Sequence, residues 1–104
     1  MSMMVLHSEV PIRPDSREAA IEICKEMAAT SRTEPGVIDY RVTVDLEAPN
    51  VIRIIEQYED SEAVEAHESS AHLDAFQAKM EPHLAEDATL YQFTVDEKIE
   101  RPGP

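Results

Sequence analysis

A chain of 104 residues with 22 acidic and 9 basic side chains, and a formal net charge of -13, repels phosphate backbones and so excludes nucleic acid as a partner. The length suits a single domain over residues 1–104, with its core at about 4–97 and a mobile tail at 98–104. No apolar run approaches the roughly 20 residues of a membrane span, and MSMMVLHSEV has neither a basic start nor a small-residue cleavage site, so a cytoplasmic protein with no membrane contact is expected. So short a chain hides only about 60–70% of the surface its unfolded form exposes. Association with a second copy would help, and a homodimer is expected. Cys24 is the sole cysteine, which rules out an internal disulfide and a cysteine-based metal cluster. Lysine occurs only at Lys25, Lys79 and Lys98. Excess carboxylate with little lysine suggests a halophilic protein, whose self-repulsion concentrated salt would screen; an ordinary acidic protein is the alternative.

From Met3 to Ile12 the run MMVLHSEVPI is mostly apolar and closes at Pro11 and Pro14, as a strand would. Asp15 with Glu18 three residues on has the spacing of a helix cap. Ala20, Ile23, Cys24, Met27 and Ser31 then recur at helical intervals, which predicts a helix whose stripe takes Cys24 into the packing. Glu34-Pro35-Gly36 ends it, because Pro35 pushes Glu34 out of the helical region and Gly36 permits a tight reversal. Val37 to Leu46 alternates, with Ile38, Tyr40, Val42, Val44 and Leu46 on one face. A turn at LEAPN and the β-rich run VIRIIEQYE complete a hairpin over 37–59. Ile52, Ile54, Glu56 and Tyr58 share one face of the second strand, and Val51, Arg53, Ile55 and Gln57 the other. Apolar groups on both faces imply that both are covered, one by helices and the other by a partner subunit. A short helix starts at Asp60 or Ser61, and Ser69-Ser70 restarts the chain into a second with Leu73, Phe76 and Met80 as its stripe. Ala88 to Ile99 makes the last strand. The order is the split βαβ arrangement, an α+β, ferredoxin-like βαββαβ fold.

With only Gly36 and Gly103, no glycine-rich loop can cradle a phosphate, so standard nucleotide cofactor motifs are excluded. The candidates for chemistry are histidines, the usual general bases near neutral pH. His83 sits beside Pro82 and reads as solvent-facing. His7 lies mid-strand where packing alone would prefer an aliphatic, and His67 lies on the inner side of the short helix. His72 is expected to tie the two short helices together. The five-residue separation of His67 and His72 does not match the zinc-helix spacing, so no metal is expected. Glu56, amid Ile52, Ile54 and Tyr58, is expected either to pair with Arg41 or Arg53 or to face a wet cavity.

Glu34-Pro35-Gly36 followed by Tyr40, then Glu56-Gln57-Tyr58-Glu59-Asp60 with Ala63, then Ala66-His67-Glu68-Ser69-Ser70-Ala71-His72 and Phe76, resemble the antibiotic biosynthesis monooxygenase (ABM) domain proteins, which include small quinol monooxygenases. The resemblance spans about Val5 to Val95. It implies a dimeric α/β barrel with a pocket between sheet and helices, no cofactor, and a small aromatic substrate with dioxygen. His7 and His67 would point into that pocket as candidate catalytic groups, with Tyr58, Glu56, His72 and Phe76 as substrate-binding residues. The haem-degrading branch has an iron-binding histidine where this chain has Gln77, and many members have a tryptophan where it has Tyr58. The expected function is a cofactor-independent monooxygenase on a quinol-like or polyketide-type aromatic. An isomerase or other carbonyl-chemistry enzyme on the same scaffold, or a non-catalytic ligand-binding or stress-response dimer, is the alternative.

Overall fold

The computed structural model describes residues 2–104. Met1, where the expected domain begins, lies outside the described residues. The chain runs through β1 (Met3–Pro11), α1 (Arg17–Ser31), β2 (Val37–Val44), β3 (Val51–Tyr58), α2 (Ser61–Glu68), α3 (Ala71–Met80) and β4 (Thr89–Val95), with 3-10 turns over Pro14–Ser16 and Glu81–His83. The strands form one antiparallel sheet in the order β2-β3-β1-β4, the ferredoxin-like arrangement expected from the sequence. Among the described residues no helix is long and apolar enough to cross a membrane.

The helices cover one face of the sheet. Ala20, Cys24, Met27 and Ala28 of α1 bury their stripe against Tyr40, Ile52 and Ile54, and Met80 of α3 joins them. A second cluster sets Val64 and Ala63 of α2 against Met4, Leu6 and Tyr58. Each large aliphatic enclosed in this way contributes about 1.5–3 kcal/mol of transfer free energy. The predicted cap at Asp15 does not form. A 3-10 turn takes up Asp15, which pairs loosely with Arg13 at 3.8 Å, and Ser16 precedes α1 without a side-chain cap.

Two departures from simple alternation shape the β2 end of the sheet, where the chain leaves α1 and passes under α2. Between Val37 and Asp39 the β2–β3 register shifts, so that Val37 lies opposite Tyr58 and Asp39 opposite Gln57. The extra residue turns Val37 inward and leaves Ile38 44% exposed, off the stripe predicted for it. Leu46, expected on that stripe too, lies beyond the strand end and is 97% exposed. Before the strand, Gly36 has φ +83°, and a Cβ there would stand 2.6 Å from the Cβ of Ala63. Only glycine lets the turn after α1 lie this close to α2.

The other sheet face carries Val5 and His7 from β1, Ile55 from β3, and Tyr91 and Phe93 from β4. Tyr91 and Phe93 are each 49% exposed there.

Candidate active site

Asp60 opens α2 by accepting the Ala63 amide at 2.9 Å, and helical spacing then places Ala63, Val64 and His67 on the buried side. Ser70 closes the break between α2 and α3. Its hydroxyl donates to the His67 carbonyl at 2.6 Å and accepts the Leu73 amide at 3.3 Å, so one side chain ends α2 and caps α3.

His67 is 3% exposed. Its Nδ1 lies 2.7 Å from Oε1 of Glu34, and Nε2 of His72 lies 3.1 Å from the same oxygen. A carboxylate has no proton to give, so both imidazoles donate, and the lone pair of His67 is left on Nε2. Tyr40 and Tyr58 tilt against the His67 ring with centroids at 5.4 and 5.8 Å, fixing its plane. The structural tie expected of His72 between the two short helices is present, its ring standing edge-on to that of His67 with centroids at 5.8 Å. His72 also reaches past the helix break to the turn after α1, because α3 begins at Ala71 and carries His72 in its first turn beside Glu34. Glu34 itself was legible only as a helix stop, since nothing local links it to a histidine 33 residues away.

A cavity of about 260 Å³ lies between the sheet and α3. Leu6, Ile54, Phe76 and Met80 supply apolar wall, while Glu56, His67, Glu68 and Tyr40 line it as ionisable groups. Glu56 does not meet an arginine. Arg53 points to the opposite face, to Glu9 and Asp45 at 2.8 Å each, and Arg41 pairs with Asp39 at 2.9 Å. Strand alternation sends these odd-numbered residues outward while Glu56 faces in. Its partner is the Tyr58 hydroxyl, which donates at 2.6 Å. Burial pushes the Glu56 carboxyl above the usual range, and the Tyr58 hydrogen bond and nearby His67 only partly offset that. Burial, reinforced by Glu56, holds the phenols of Tyr58 and Tyr40 far above theirs. Tyr58, fully buried, supports Glu56 from below without lining the cavity.

His7 is not in this site. Leu6, Ser8 and Val10 face the cavity, so the intervening His7 lies on the other sheet face, exposed and edge-on to Phe93 at 5.5 Å. His83, expected in solvent, is partly buried with Nδ1 enclosed and unpartnered. Cys24 fits its packing assignment, since burial pushes its thiol up to about 11. Glu34, His67 and His72 offer three ligand atoms within 4.8 Å of one another, a cluster that the residue spacing had argued against.

The family model for antibiotic biosynthesis monooxygenase matches residues 3–79. The chain belongs to the antibiotic biosynthesis monooxygenase family. Within it, the chain is 27% identical over 77 residues to the Bacillus subtilis (strain 168) protein named "Putative monooxygenase YcnE", covering 74% of this chain and 81% of that one. A conserved protein of unknown function from Bacteroides thetaiotaomicron is 30% identical, with a TM-score of 0.83 over 89% of this chain and 97% of its own. A conserved protein from Methanosarcina mazei Go1 shares the fold at a TM-score of 0.87 and 20% identity, over 92% of this chain and 95% of its own. The ABM match ends at residue 79, so it contains both histidines of the Glu34 cluster and stops short of β4.

Proposed function

We propose that this ABM-family chain is a cofactor-independent monooxygenase for a small quinol-like or polyketide-type aromatic, with dioxygen as co-substrate and His67 as the base. The observation that carries the reading is His67 on the wall of an apolar cavity, held by Glu34 behind it at 2.7 Å. Glu34 is a positioning residue: by accepting from Nδ1 it leaves Nε2 to take a phenolic or acidic C–H proton. The resulting anion passes electrons to dioxygen. One oxygen atom bonds to substrate carbon, and the other leaves as water with two hydrogens from the substrate, so the reaction needs no outside reductant. Apolar wall shields the anion from protonation by water. Phe76 offers an aromatic contact, Glu56 a second proton-carrying group, Tyr58 the hydrogen bond that holds Glu56, and His72 a second donor to Glu34.

A homodimer fits this reading, with the exposed Ile55, Tyr91 and Phe93 on the helix-free face as its contact. The acidic composition fits a protein adapted to concentrated salt.

Oxygen uptake on a panel of quinols and anthrones tests the activity. His67→Ala should lower turnover by about 10²–10⁴-fold, and full activity in that variant would sink the assignment of the base. His7→Ala, on the far face, should keep its turnover while the dimer persists. Carbon-bound deuterium exchange without oxygen uptake would select carbonyl chemistry on the same pair.

A further inference from the structure

We infer that Glu34, His67 and His72 form a binding site for a divalent transition metal of the zinc class, and that its occupation turns His67 from a proton acceptor into a proton donor. Two imidazole nitrogens and one carboxylate oxygen are a donor set suited to zinc, with remaining positions left to water. Oε1 of Glu34 stands 2.7 Å from Nδ1 of His67 and 3.1 Å from Nε2 of His72. Neighbouring ligands around a metal held at zinc distances stand about 3–3.4 Å apart, and the three ligand atoms here lie within 4.8 Å of one another, so side-chain rotations that move the carboxylate oxygen off the line between the imidazoles would seat an ion. Orientation of His67 requires only one acceptor. A second imidazole converging on the same oxygen supplies the third donor of a metal site.

The three ligands come from separate elements, the turn after α1, α2 and α3, and each is anchored. Gly36 sets the first against Ala63, Asp60 caps the second, and Ser70 caps the third. Side-chain exposure rises from 3% at His67 through 16% at Glu34 to 28% at His72, which marks the side from which an ion and its waters enter. A lone carboxylate selects against magnesium and calcium, which require more oxygen ligands.

A metal on Nδ1 of His67 takes the position of that nitrogen's proton. In the neutral ring the proton moves through solvent to Nε2, the nitrogen proposed as the base, while the His72 proton moves from Nε2 to Nδ1. The ring then donates where it had accepted, and the metal inhibits. This consequence rests on the proposed function; the binding itself does not.

Calorimetric titration of the full chain with zinc, in excess magnesium to occupy surface carboxylates, tests the site, with cobalt absorption reporting the geometry. One equivalent per chain is expected, lost in His72→Ala and in Glu34→Gln. The glutamine keeps an acceptor for both imidazoles, so circular dichroism should show that variant folded. No saturable binding in the native chain, or binding retained in either variant, would overturn the site. Nitrogen-15 NMR should show the His67 proton on Nε2 once zinc is bound, and a proton still on Nδ1 would overturn the switch. Where quinol oxidation is measured, zinc should abolish it and a chelator restore it; undiminished turnover with zinc bound also overturns the switch. Lack of any turnover would count against the oxygenase while leaving the isotherm to decide the site.

Discussion

Glu56 is the residue at which burial and pairing oppose each other most directly. Its carboxyl is raised above the ordinary range by burial, with one hydroxyl at 2.6 Å as its hydrogen-bond donor. The folded state therefore holds this proton to higher pH than the unfolded state does. Stability from this group is fullest below the ordinary carboxyl range and declines as pH rises through the raised value. Glu56→Gln keeps an acceptor for the Tyr58 hydroxyl and removes the titration. Its unfolding free energy from urea titrations should fall less than the native chain's across that window, and equal slopes would contradict the assignment. At this scale the sequence showed which polar residue stood on an apolar strand face, but not its partner. Alternation predicts a face, and it is the same alternation that turns Arg41 and Arg53 away. His67 was legible from helical spacing, whereas Glu34 was not, because its partnership depends on a contact that only the fold creates.

Among the elements, the break between α2 and α3 is the one on which site geometry depends most. Ser70 caps α3 and binds the carbonyl of His67. Ser70→Ala should cost about 0.5–2 kcal/mol, as lost caps do, measured by chemical denaturation. It should also lower turnover in fully folded protein, since the His67 carbonyl loses its hydroxyl donor and keeps only the Ser70 amide at 3.1 Å. Asp60→Ala removes the other cap at a similar cost in stability but leaves that carbonyl bond in place, so its turnover should fall less. The element order and the hairpin were readable because periodicity and turn chemistry are local. The register shift at Val37/Asp39 was not, since whether one residue bulges is decided by packing across the strand pair, here by Val37 turning in against Tyr58. Asp15 failed as a cap for a similar reason: Pro14 starts a 3-10 turn and moves the helix start to Arg17.

For the molecule as a whole, an uncovered sheet face and a surplus of carboxylates act on association and stability in different ways. Phe93→Asp on the helix-free face should convert a dimer to monomer in sedimentation, while a substitution such as Glu86→Gln, outside that face, should leave the mass unchanged. Self-repulsion from a net charge of -13 should fall as salt screens it. The melting temperature should therefore rise from dilute buffer to molar potassium chloride, and an unchanged value would count against salt adaptation. Both expectations were legible in the sequence, the first from apolar residues on two faces of one strand and the second from composition. The place of His7 was not legible, because alternation groups it with Val5 without telling which side of the sheet the helices cover.

The Glu34–His67 contact closes a loop of 33 residues that contains the entire β2–β3 hairpin. In the native structure, the zipped hairpin and the return of α2 over it hold the two partners together. The pair is thus expected after the hairpin's own local contacts, although it closes a shorter loop than the β1–β4 pairing of Met3 with Val95. Recovered activity would then serve as a clock for the docking of α2 against the turn after α1.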